Sequence, residues 1–339
     1  MAKDSPHKII LDRKRALGER LIILGHHYQA DEVIRYADFI GDSLELARKV
    51  SELEHAQIIV FCGVYFMAQT AVILAPDKHV YIPDKLAGCP LADAAGIDDV
   101  LKAWEVIKDL GRVIPITYVN SSAEIKAFCG RHGGAVCTSG NALKILKWAF
   151  TQGERVFFLP DQNLGRNTAR TMDVSDEEMA IWDPLNPPLV KALENARVIL
   201  WHGWCPVHAP IMTVKDVEEV RLKHENIKVI VHPEADPETV KASDAFGSTA
   251  QIIEYVKAQP LGTRLAIGTE INMVKRLSES YHAIVSIVPL KESACADMAK
   301  ITPEMLARCL MELTDAYRVR VPQDVIADAR LALDRMLKV

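Results

Sequence analysis

Three stretches of this chain resemble one another: GHHYQADE at 25–32, TYVNSSAE at 117–124 and VHPEADPE at 231–238. Each follows an apolar run, LIIL at 21–24, VIPI at 113–116 and VIV at 229–231. Such runs read as strands of a parallel sheet buried on both faces. Just past each strand's carboxyl end stand polar side chains: His26 and Tyr28, Tyr118 and Asn120, His232 and Glu234. Further on, each copy has a small apolar patch and then a Ser or Thr that opens a helix. These are ADFIGDS ending at Ser43, AVCTSGN containing Ser139, and DAFGST ending at Thr249. A unit repeated three times, with polar groups at the same kind of place, implies three domains facing one shared site.

Each copy continues into a second strand (58–62, 156–159, 265–268) and a third (79–82, 198–201, 283–288), with helical segments between. Strands alternating with helices through short loops specify α/β architecture with parallel sheets. The expected fold is three homologous α/β/α sandwich domains around a pseudo-threefold axis, divided as 1–108, 109–222 and 223–339. Polar groups beyond strand carboxyl ends are where open α/β sheets bind ligands. A lead-in helix at 6–19 and an amphipathic helical stretch at 303–337 are expected to pack on the outside. The stretch 165–195, with Pro184, Pro187 and Pro188, reads as an inserted surface loop.

Net charge of −5 and a pI near 6.1 argue against a nucleic-acid partner. No apolar run has the length of a signal peptide or a membrane span, so the expected location is the cytoplasm. Seven cysteines in a reducing compartment are not expected to pair as disulfides. Three of them recur, one after the third strand of each copy: Cys89 in AGCPLAD, Cys205 in GWCPVH and Cys295 in SACADM. Cys62, Cys129, Cys137 and Cys309 fall in strand or helix patterns and read as small buried hydrophobes. Three converging thiolates make a soft ligand set for zinc or an iron–sulfur cluster, and the spacing leaves the two unresolved. The absence of any CxxC string excludes a ferredoxin-type carrier.

The strings ILGHHYQADEV, ADFIGDSLELAR, FCGVYFMAQTA, YIPDKLAGCPLAD, TYVNSSAEIKA, CTSGNA, FLPDQNLG, VHPEA, GSTAQI and GTEINMVKRL together resemble the quinolinate synthase A family of NAD biosynthesis. They span nearly the whole chain. The resemblance implies a [4Fe–4S] cluster on Cys89, Cys205 and Cys295 with one iron open. It also implies condensation of iminoaspartate with dihydroxyacetone phosphate to quinolinate, losing two waters and phosphate, and a transient contact with the enzyme that supplies iminoaspartate. Glu292 and Met298 flank Cys295 at three residues on either side, so the CxxCxxC string found in part of the family is missing here.

With that resemblance, His26 is expected to bind a substrate carboxylate or phosphate, and Tyr28 to donate or accept a proton. Tyr118 and Asn120 would position the dicarboxylate. His232 and Glu234 would serve the chemistry, Glu234 as general base. Ser43, Ser139 and Thr249 combine a helix-cap reading with contact to an anionic substrate at a helix amino end. His208, three residues after Cys205, is a supporting candidate, and Lys85 with Asp84 has a structural reading. Two other classes fit the thiols: a zinc-dependent aldolase-like enzyme, and an iron–sulfur carrier or sensor. Neither accounts as well for Tyr118, Asn120 and Glu234.

Overall fold

The computed structural model of the chain describes residues 5–339. Thirteen strands are present among them. They are β1 Leu21–His26, β2 Phe39–Gly41, β3 Ile58–Cys62, β4 His79–Tyr81, β5 Val113–Tyr118, β6 Ala135–Cys137, β7 Arg155–Leu159, β8 Met179–Trp182, β9 Val198–Trp201, β10 Lys228–Val231, β11 Ala245–Phe246, β12 Thr263–Gly268 and β13 Val285–Pro289. They form three parallel sheets, ordered β2-β1-β3-β4, β6-β5-β7-β9-β8 and β11-β10-β12-β13, each flanked by helices. The expected α/β class with three parallel-sheet sandwiches is therefore what the chain adopts.

The chain divides into two compact units, residues 5–89 with 294–326, and residues 90–293 with 327–339. The first unit holds the first sheet, and the second unit holds the other two. Within the first unit, helix Pro6–Leu17 packs against helix Pro303–Glu312, and Arg13 donates to the Leu310 carbonyl at 2.8 Å. The segment after that helix runs along β4: the Ile82 N–H donates to Tyr317 O at 3.0 Å and the Val319 N–H to Val80 O at 2.9 Å. Covering the edge strand in this way removes a template for unwanted pairing. The stretch 303–337 is thus two helices, Pro303–Glu312 and Gln323–Lys338. The first ends at Leu313, whose φ of 44° is left-handed.

All three sheets share one strand order. The first strand of each copy (β1, β5, β10) lies inside, with the apolar patch paired on one side and the second strand on the other. The chain therefore leaves each first strand in one direction and returns on the opposite side. The carboxyl end of that strand is a topological switch point, where helices diverge and leave a crevice. β1 ends at His26 and β5 at Tyr118, while His232 follows β10.

The small apolar patches are strands of two or three residues, β2, β6 and β11. One expectation is revised. The stretch 165–195 is not a plain surface loop. Helix Gln162–Arg170 runs into it, and β8 adds a fifth strand, pairing Met179–Trp182 with Val198–Trp201. Its prolines come after that strand, where they cost no ladder bond.

Candidate active site

In the second unit, the turns after β5, β9 and β10 bring several of the expected residues together. Glu234, only 2% exposed, accepts the Tyr118 hydroxyl at 2.5 Å on Oε1. On Oε2 it meets His208 Nδ1 at 3.0 Å. The other ring nitrogen of His208 lies 3.2 Å from Thr269 Oγ1. His208 stacks on His232, with ring centroids 4.4 Å apart and planes inclined by 17°. The Glu234 N–H points to His232 Nδ1 at 3.4 Å, which leaves the ring proton on Nε2, 3.2 Å from Ser139 Oγ.

Burial, with His208 beside it, pushes the His232 imidazole down to about 3 against the partial opposition of Glu234, so the ring is neutral. Burial raises the Glu234 carboxyl. The hydrogen bonds that it accepts from His208 and Tyr118 oppose that and hold it below the usual carboxylate range. The group is thus a fixed anion between two donors. Asn120, on the same turn as Tyr118, carries a buried Oδ1 with no hydrogen-bond partner. A buried orphan acceptor next to such a cluster is a vacancy for a ligand N–H or O–H.

Cys205, His208 and Glu234 have ligand atoms within 4.8 Å of one another. The carboxylate and the imidazole of this trio are also bonded to each other and to Tyr118 and Thr269, so a metal held by all three would take the place of those bonds.

Thr249 also lies in the second unit, and His26, Tyr28, Ser43, Cys89 and Cys295 lie in the first. His26, 4% exposed, accepts the Tyr28 N–H on Nδ1 at 3.2 Å, and the two rings meet edge to face at 4.7 Å. This is the turn of His232 and Glu234 made again in another copy of the unit. His27 faces away toward Glu45, 3.9 Å distant. The turns bearing Cys89 and Cys295 are stitched together: Asp297 accepts the Gly88 N–H at 3.2 Å and pairs with Lys300 at 2.6 Å. Lys300 also donates to Leu86 O at 2.7 Å. Lys85 donates to Asp315 O and Asp84 accepts the Leu86 N–H, which agrees with their structural reading.

The seven cysteines differ in burial. Cys89, Cys205 and Cys295 are half-buried, whereas Cys62, Cys129, Cys137 and Cys309 are buried. Burial pushes the Cys62 thiol up to about 12, and drives Cys129, Cys137 and Cys309 upward as well. Those four are thiols at any ordinary pH and serve packing.

The helix-cap reading of Ser43, Ser139 and Thr249 is corrected. The caps are Asp42, in a reciprocal capping box with Glu45, and Ser248, in one with Gln251. Ser43 and Thr249 occupy the first helical position, and Ser139 lies in the turn before helix Ala142–Gln152, whose cap is Asn141. The aspartate or serine one residue earlier does the capping, so a cap role does not explain these hydroxyls. Sequence reasoning missed Asn163 and Asn167, which reach the turn of Glu234 from helix Gln162–Arg170. The available signal was two amides four residues apart on an otherwise small-residue helix face.

The family model described as "NadA: Quinolinate synthetase A protein" matches residues 8–338. A protein of Corynebacterium glutamicum named quinolinate synthase is 46% identical, over 99% of this chain and 88% of its own. Those of Anoxybacillus flavithermus and Geobacillus kaustophilus, with the same name, are each 48% identical over 96% of this chain and 90% of theirs. By sequence along its whole length, this chain belongs to the quinolinate synthetase A family.

Proposed function

We propose that this chain is a quinolinate synthase, condensing iminoaspartate with dihydroxyacetone phosphate to quinolinate with release of two waters and phosphate. The sum balances without any electron acceptor, so the site needs acid–base and electrostatic groups rather than a redox partner. The observation that carries the reading is the Tyr118–Glu234–His208 chain, beside a neutral His232 and the half-buried Cys205, at a strand-end switch point. When bound by Cys89, Cys205 and Cys295, a [4Fe–4S] cluster supplies a Lewis-acidic iron with a position open to a substrate oxygen. The donor chemistry fits, since three half-buried thiols stand apart from four inert buried ones.

The residues divide the work as follows. Asn120 offers its orphan Oδ1 to the imine N–H of the dicarboxylate, with Tyr118 beside it. Ser139, Thr249, Ser43 and His26 bind carboxylate and phosphate oxygens, the hydroxyls lying at or near helix amino ends that favour anions. Glu234 and Tyr28 move protons, Tyr118 donates to Glu234, and His232 presents its Nε2–H on the side of Ser139. A carboxylate held this low takes a proton only while the reaction delivers one, and the bonds from Tyr118 and His208 hold it in place to do so. The three repeats are taken as domains 1–108, 109–222 and 223–339. The protein works in the cytoplasm and meets the enzyme that supplies iminoaspartate only transiently. Among the described residues no helix is long and apolar enough to cross a membrane.

The Cys205, His208 and Glu234 grouping favours a second reading, a zinc-dependent enzyme. Anaerobic purification and reconstitution separate the two. Quinolinate formed from freshly generated iminoaspartate and dihydroxyacetone phosphate, by brown protein, supports the proposal. Colourless protein that binds zinc and forms no quinolinate would replace it with the second reading.

A further inference from the structure

Helix Gln162–Arg170 lies against the second sheet more closely than its neighbours could allow with any larger residue at position 165. A Cβ there would come within 2.5 Å of Leu200 and 2.7 Å of Phe158. From this seat its two buried asparagines, each 3% exposed, face the turn that follows β10. Asn163 Nδ2 donates to Glu234 O at 3.3 Å. Asn167 Nδ2 donates to Pro233 O at 2.8 Å and to Ala235 O at 3.0 Å. Two amides one helical turn apart therefore take up three consecutive carbonyls.

The start of the same helix fixes a second turn. The Gln162 N–H donates to Gly203 O at 2.8 Å. Gly203 is needed for that approach, since a Cβ there would sit 2.5 Å from Pro160 O. One rigid helix thus holds the backbone of Gly203, two residues before Cys205, at one end and that of Pro233, Glu234 and Ala235 along its face.

We infer that Asn163 and Asn167 are positioning residues, an amide clamp that sets where Glu234 and His232 stand relative to Cys205. The inference rests on the reading of Glu234 as a proton-moving group. The turn has no slack: the Glu234 N–H is directed to His232, its carbonyl to Asn163 and its carboxylate to Tyr118 and His208. With the clamp gone, three buried carbonyls lose their donors and the turn shifts to find water. Misplacement by about 1 Å is enough to cost a reaction roughly 100-fold. Substrate contacts at Asn120 and Thr249 lie on other turns and stay in place.

The test uses the reconstituted full chain with Asn167→Ala, the isosteric Asn167→Asp, which cannot donate, and the milder Asn163→Ala. The expected result is kcat lower by about 10–100-fold for both Asn167 variants and less for Asn163→Ala. KM should stay within about twofold and iron and sulfide content should be unchanged. Amide exchange across residues 230–236 should accelerate in all three. Unchanged exchange at that turn, or near-normal kcat in Asn167→Asp, overturns the clamp. If both Asn167 variants fail to fold, Asn163→Ala decides by the same two readouts. If the unsubstituted chain forms no quinolinate, the functional reading falls, and the exchange measurement alone still decides whether the clamp exists.

Discussion

Replacing Glu234 by Gln removes one charge and one acceptor from a place where both are used. The carboxylate receives the Tyr118 hydroxyl at 2.5 Å and His208 Nδ1 at 3.0 Å, and it is 2% exposed. Hydrogen bonds to a buried charge contribute about 1.5–3 kcal/mol each. The amide keeps a single acceptor, so either Tyr118 or His208 faces an NH2 group. His208 can relieve this by moving its proton to Nε2 and donating to Thr269, 3.2 Å away. The structural cost is therefore one weakened bond, about 1–3 kcal/mol. The kinetic cost is separate. A positioned proton-transfer group is worth about 10²–10⁴ in rate, or roughly 3–5 kcal/mol of barrier. The variant should remain folded at 25 °C, keep its cluster and bind a dicarboxylate analogue, while kcat falls by that factor with KM little changed. Steady-state kinetics, iron assay and thermal melting on the same preparation read all of this. A kcat loss no larger than the change in folded fraction, or loss of iron with the carboxylate, would refute the role given to Glu234.

Further outcomes follow from the same geometry. In cluster-free protein, iodoacetamide should label Cys89, Cys205 and Cys295 and spare Cys62, Cys129, Cys137 and Cys309, read by peptide mass spectrometry, because only the first three are half-exposed. Ser139→Ala should raise KM more than it lowers kcat, since its hydroxyl contacts an anion before and during reaction; an unchanged KM would count against that contact. Tyr28→Phe should resemble Glu234→Gln, with low kcat and an intact cluster. Asp216 gives a pH test away from the site. Burial raises its pKa, but hydrogen bonds from Lys291 and from the Thr213 N–H and hydroxyl prevail and lower it. Its contribution is therefore present above the ordinary carboxylate value and is lost as pH falls through the depressed one. Asp216→Asn should cost about 1 kcal/mol near pH 7, and the difference should close as pH falls below the ordinary carboxylate value. A gap that widens on acidification would contradict the sign.

Much of the fold was legible because its information is local. LIIL, VIPI and VIV are buried on both faces of their sheets, and such strands declare themselves as unbroken apolar runs. β2, β6 and β11 were not legible as strands. Two or three residues carry no period, and what makes them strands is pairing with β1, β5 and β10 some fifteen or more positions away. β8 was hidden for the same reason, beside a proline-rich tail that suggested a loop. At the site, repetition exposed His26, His232 and the three cysteines, since one position recurring in each copy is visible without coordinates. The caps Asp42 and Ser248 sat one residue before the hydroxyls chosen for that role, a shift that only backbone geometry settles. For Asn163 and Asn167 the four-residue spacing was the one signal, and it names no partner, because their partners are carbonyls, which every residue has.

Iron and sulfide content of single Cys→Ser variants, purified and reconstituted anaerobically, tests the central claim most directly. The unsubstituted chain should be brown, with about four iron and four sulfide per chain. Substitution at Cys89, Cys205 or Cys295 should remove that content, and substitution at Cys62, Cys129, Cys137 or Cys309 should leave it. Full iron in any of the first three, or colourless unsubstituted protein carrying about one zinc per chain, would contradict the account.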